Sequence, residues 1–187
     1  MNIFVLDRDP NIAARLMCDK HVVKMVTETA QLLSTAHRVL DGRESRARSI
    51  SGKRLIKHYG LYGGANDHEM EGILYKATNI NHPCSVWTRE TSSNYTWLYQ
   101  HFIALCNEYS GRYERCHKSH LKLLHPLGKL PVNIKQESLT EFPQAMPDDC
   151  KQEDVALAYQ TYYNRYKSGF AKWKSGSVPE WFRKDIV

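Results

Sequence analysis

A mainly α, compact single-domain helical bundle with a short extended N-terminal segment is the fold class that three features of this sequence predict. From Asp19 to about Leu40 apolar residues cover most of a helical surface and leave one narrow polar stripe. Around 93–115 and 153–174 aromatic and aliphatic residues recur mostly at intervals of three and four, which is the period of a core helix. Only one short run, Asn2 to Leu6, has the composition of a strand, and nothing later offers an obvious partner. At 187 residues the chain suits one domain with a core of its own.

In chain order, Asn2–Leu6 is expected as a strand or an extended arm packed on the core. Asp9-Pro10 then supplies an N-cap and a proline for the first helical position, opening a helix over roughly 10–18. The long helix follows, and Asp41-Gly42 stops it. His21, Lys24, Glu28 and Gln31 share its polar stripe. An imidazole, an ammonium and a carboxylate on successive turns suit proton transfer and anion recognition; the same residues can equally form a buried ion-pair ladder, Lys24 with Glu28.

The segment at about 42–64 changes character. Arg43, Arg46, Arg48, Lys53 and Arg54 alternate with Ser and Gly, predicting a mobile basic loop that is either a solvated surface or a phosphate-binding element ordered by nucleic acid. A short helix is expected over about 67–77. Beyond it, Asn81, His82 and Arg89 lie in a stretch dense in hydrogen-bonding side chains, either a satisfied core turn or one wall of a site, with Pro83 forcing His82 out of helical conformation. Cys116, His117, His120 and His125 lack the spacing of a zinc site, so no metal and no cofactor are expected. Five prolines and glycines between 126 and 149 predict a long irregular connection. The last helix runs into Lys172, Trp173, Trp181 and Arg183, where aromatics mixed with bases serve either the core or base stacking with phosphate contact.

A net charge of +6, from 26 basic and 20 acidic residues, biases the chain mildly toward a polyanionic partner. Five cysteines without a Cys-x2-Cys pair argue against a secreted disulfide framework. With no signal peptide and no membrane-spanning run, a soluble cytoplasmic protein is expected, in the host cytoplasm if the source is a phage.

The Asp19-x-His21-x6-Glu28 spacing near the N-terminus, on a mainly apolar helix, resembles the phage pyrimidine-dimer DNA glycosylase/AP lyase family of the endonuclease V type. The aromatic helix from Asn94 to Arg115 and the terminal run Val178 to Lys184 keep the same order. The resemblance implies a helical domain, spanning 1–187, that grips double-stranded DNA and attacks the sugar of a displaced or modified pyrimidine. It implies Glu28 as acid/base and electrostatic stabiliser, and His21 as a DNA-contacting or protonating neighbour. The family's nucleophile is the α-amine of a small residue exposed by removal of the initiator methionine. Residue 2 here is Asn, which leaves Met1 in place. The amine is therefore that of Met1, that of Lys24, or an external one. The external option describes a phage DNA-modifying transferase that joins a free amino acid or other amine, as co-substrate, to an activated hypermodified pyrimidine. A non-enzymatic DNA-binding protein is the third alternative. The DNA-binding set expected from these readings is Arg43, Arg46, Arg48, Lys53, Arg54, Asn81, His82, Arg89, Lys172, Trp173, Trp181 and Arg183.

Overall fold

Asp9 and Pro10 open the first helix as their residue types dictate: the Asp9 carboxylate accepts from the Asn11 and Ile12 N–H groups, and α1 runs Pro10–Leu16. In the computed structural model, which describes residues 1–49, 51–62, 67–174 and 178–184, this helix leads into α2, Asp19–Asp41. The start of α2 is fixed from outside. Arg112 donates to Asp19 Oδ1 (3.1 Å), to the carbonyls of Met17 and Arg15, and to Glu108. That guanidinium gathers otherwise unpaired carbonyls between two helices, which offsets the cost of burying it.

The other helices are α3 (Asp67–Ile73), α4 (Pro83–Thr88), α5 (Ser92–Tyr113), α6 (Lys118–Leu127) and α7 (Val155–Tyr166). Helix α2 packs against α4, α5 and α6, while α1 lies on α5. Val22, Met25, Val26, Leu32 and Leu33 from α2 join Leu98, Phe102 and Leu105 from α5 in one buried cluster. Mainly α is thus the observed class. Asn2–Leu6 is an arm rather than a strand, with Ile3, Val5 and Leu6 fully buried. Residues 128–147 contain no helix or strand, as the prolines predict.

Helix α4 stands where a turn was expected, α3 stops at Ile73 short of 77, and three further elements also differ from expectation. Helix α7 ends at Tyr166, not near 174, because Ser168-Gly169 is a poor place to continue a helix. Helix α6 was not anticipated: the His117 imidazole caps it by accepting from the Ser119 N–H, and Pro126 falls in its last turn. The basic loop is a two-stranded antiparallel ribbon, β1 (Arg43–Arg48) with β2 (Leu55–Gly60), pairing Arg43 with Gly60 through to Arg48 with Leu55. Both sides of β1 are exposed, so its sequence carries no apolar alternation to read. The backbone ladder holds it, with Lys57 Nζ 2.9 Å from Glu44 and Tyr59 donating to the same carboxylate. At the tip Gly52 adopts φ +72°, and Arg54 donates its N–H to Ser49 Oγ. Gly63 and Gly64, also part of the expected loop, lie outside the described residues.

Candidate active site

The N-terminal arm is placed by Asn2. Its side-chain oxygen accepts from the N–H of Ile3 (2.8 Å) and of Phe4 (3.3 Å) and from the Tyr159 hydroxyl (2.7 Å), while its amide donates to the Ala145 carbonyl (2.7 Å). Folding the backbone back on this side chain puts Phe4 at φ 54°, a left-handed conformation that costs a bulky L-residue energy. The compensation is aromatic packing. The Phe4 ring stacks on His21 with centroids 4.3 Å apart and meets Tyr163 edge-on.

This clamp delivers Met1 to the side of α2. Its Nα lies 3.9 Å from Glu28 Oε2, an ion-pair separation, and its side chain is only 3% exposed. The other oxygen of Glu28 is 3.0 Å from Lys24 Nζ. A carboxylate at the edge of solvent, 16% exposed, therefore stands between an α-amine and an ε-amine. His82 closes the group. Its Nδ1 accepts from the Cys84 N–H as the cap of α4 (3.2 Å), which leaves Nε2 to carry the ring proton. Burial and then the Met1 ammonium hold His82 below the usual histidine range, with Glu28 pulling the other way. The four groups share one local field. Chemically, the arrangement offers a primary amine as nucleophile and a carboxylate to stabilise positive charge and move protons, with an imidazole whose charge equilibrium both of them influence.

His21 stands elsewhere than the sequence suggests. Sharing the polar stripe does not put it in the open beside Lys24: it is 7% exposed, hydrogen-bonded to Tyr163 and enclosed by Phe4 and Phe170. The reason is the phase of the helix. Lys20, Val23 and Lys24 define the exposed arc, Glu28 sits at its margin, and His21 lies one step further round, where the N-terminal arm covers it. Burial, with Lys167 and Lys24 adding to it, lowers His21 to about 4, so it is neutral near pH 7. In contrast, Lys24 is 63% exposed.

The remaining candidates separate into three groups. Arg43, Arg46, Arg48, Lys53 and Arg54 are exposed on the ribbon. Asn81 is exposed beside His82, and Arg89, at the end of α4, turns its guanidinium onto the Ser85 carbonyl and hydroxyl. Near the C-terminus the aromatics point inward. Trp173 donates to the Leu16 carbonyl and packs edge-on against Phe182, and Trp181 meets Tyr163 and Phe182. Lys172 and Arg183 remain exposed around them.

Sequence reasoning had no signal for Asn2, Phe4 and Tyr159 as the positioning shell, because their partners are up to 157 residues away. It also gave no sign of what Arg38 does. Arg38 is 3% exposed and donates to Glu71 (2.6 Å) and to the carbonyls of Tyr59, Glu71, Leu74 and Tyr75, tying the base of the ribbon to α2.

Residues 1–120 match the family model described as pyrimidine dimer DNA glycosylase. The chain belongs to that family. No curated protein and no solved structure matches it. The matched stretch of this glycosylase-family chain includes Met1, Lys24, Glu28, His82, Arg89 and the whole ribbon. Lys172, Trp173, Trp181 and Arg183 lie beyond it.

Proposed function

We propose that this protein is a DNA glycosylase with lyase activity whose nucleophile is the α-amine of Met1. The observation that carries the reading is the 3.9 Å approach of Met1 Nα to Glu28. A primary α-amine can attack C1′ and form an imine there. Lys24 is held closer to Glu28, at 3.0 Å, on a side chain that is 63% exposed.

The amine lone pair adds to C1′ of the displaced nucleotide as the glycosidic bond breaks. The pyrimidine leaves with the bonding electrons and takes up a proton. Loss of the amine proton and ring opening give an imine between Nα and C1′, and removal of a C2′ proton expels the 3′ phosphate. Glu28 is placed to stabilise the cationic sugar and to accept and return the protons. His82 is a second proton carrier at the same sugar. His21 acts as a positioning residue, its ring supporting Phe4 and through it the arm. The exposed cations on the ribbon, with Asn81, Arg89, Lys172 and Arg183, supply phosphate contacts.

Borohydride reduction during incubation with an abasic duplex tests the reading. A covalent adduct mapping to the Met1 peptide is expected, and a variant carrying a short extension before Met1 should lose it. An adduct on Lys24, or none, would overturn the assignment of Met1. Amine transfer to a hypermodified pyrimidine without any adduct would instead support the transferase alternative, in which Glu28 serves as base toward a free amino acid.

A further inference from the structure

The ribbon's two sides carry different residues. Arg43, Ser45 and Ala47 alternate onto one side with their partners Gly60, His58 and Ile56; Ser45, Ala47, His58 and Gly60 line a cavity of about 320 Å³ that Lys57 and Tyr59 also border, with Tyr62, Lys76 and Ala77 across it. The other side carries the pairs Glu44 with Tyr59, Arg46 with Lys57 and Arg48 with Leu55. Three cations there meet a single acid, and Leu55 is 63% exposed at its outer end. Tyr59, at its inner end, lies close enough to Arg89 for each to alter the other's charge equilibrium. Arg89 ends the helix that His82 caps, and so stands between that group and this side of the ribbon in the chain.

A two-stranded ribbon with both sides uncovered is marginal on its own in water. Here Arg38 and Glu71 pin its base, Arg38 at the Tyr59 carbonyl and Glu71 at the Leu61 N–H (2.8 Å). The projecting part has charge complementary to a polyanion. Two strands with their side chains match the major groove, about 12 Å wide, and exceed the minor groove, about 6 Å.

We propose that β1–β2 is a DNA arm that lies in the major groove on one flank of the reacting nucleotide, with Arg46, Arg48 and Lys57 toward the phosphates and Leu55 toward base edges. This rests on the reading of the chain as an enzyme acting on duplex DNA. Six residues per strand give a reach of about 20 Å. Arg38 is ten residues beyond Glu28 on α2, a further rise of about 15 Å. The arm therefore falls within about one duplex turn of the reacting sugar.

Dimethyl sulfate footprinting tests this on a duplex with a non-cleavable tetrahydrofuran abasic analogue, because it reports guanine N7 in the major groove and adenine N3 in the minor groove. The native protein is expected to protect N7 positions on one flank, within about ten base pairs of the analogue. The R46Q/R48Q/K57Q variant should lose that protection and flatten the salt dependence of binding by about two to three in log–log slope. A variant with residues 44–59 replaced by a short Gly-Ser linker should do the same. Circular dichroism melts confirm that each variant is folded, and the surface substitutions in the first keep the test valid if the linker variant is not. Protection of adenine N3 in place of N7, an N7 pattern unchanged by the variants, or an unchanged salt slope would each overturn the arm. Borohydride trapping separates the two readings: one-sided N7 protection with no trapped adduct removes the lyase and keeps the arm, whereas trapping with N7 unprotected does the reverse.

Discussion

Met1 Nα and Glu28 Oε2 face each other across 3.9 Å, brought together by an asparagine clamp on one side and a 23-residue helix on the other. The separation exceeds a hydrogen bond, and in the proposed mechanism it leaves the carboxylate free to follow charge as it shifts from the amine to the sugar. Replacing Glu28 with Gln removes that charge while preserving shape. Single-turnover nicking of an abasic duplex should slow by two orders of magnitude or more, and a loss of less than about threefold would contradict the role given to Glu28.

Asn2→Leu, whose large side chain leaves Met1 in place, should separate placement from chemistry. The variant loses four hydrogen bonds that hold the arm, so trapping by Met1 should fall at least tenfold. DNA affinity measured on the tetrahydrofuran duplex should stay within about twofold, since no phosphate contact is removed. Equal losses in both would argue against a positioning role.

Trp181→Ala distinguishes packing from stacking on a base. Trp181 is partly buried against Tyr163 and Phe182. The expected cost is about 2–3 kcal/mol of stability, somewhat below that of a fully buried aromatic. Thermal melts and DNA affinity taken on one preparation decide the matter. A normal melting temperature with binding weakened by 1–3 kcal/mol, on the order expected for a lost stacked base, would restore the DNA-stacking role.

Acid should weaken the fold well before carboxylates titrate. Burial lowers His21, His37 and His101 each to about 4 from an ordinary value of 6.5. Between those limits the unfolded chain binds protons that the folded chain refuses, so stability rises with pH across this window and falls as pH drops through it. Above pH 6.5 these three groups contribute no slope. Each histidine adds on the order of 1.4 kcal/mol per pH unit. Denaturant melts at pH 7, 6 and 5 should show this decline, and a flat profile over that range would refute it.

The long elements were legible because each is decided by local chemistry. Asp9-Pro10, the apolar circumference of α2 and the three-and-four recurrence in α5 need no distant partner to be read. Glu28 and Lys24 were found for the same reason, since i,i+4 spacing is a property of the helix alone. His21 fell on the same stripe by spacing, and only the arm crossing above it explains its burial. The ribbon escaped because its stability lies in backbone pairing and in Arg38, neither of which imposes a side-chain period. Trp173 and Trp181 satisfied a stacking pattern and a packing pattern equally well; burial alone distinguishes these, and it depends on residues far away in the chain.

Glu28 and Arg38 belong to one uninterrupted helix, and Arg38 grips the ribbon at its base. The separation between the Glu28 carboxylate and the anchorage of the ribbon is therefore set by covalent geometry and helical hydrogen bonds, with no hinge between them. A protein built this way has little freedom to adapt that span to its substrate. Under the proposed reading, a duplex that engages both ends at once would have to bend or untwist, and sequences that deform readily would be preferred sites even where no side chain touches a base.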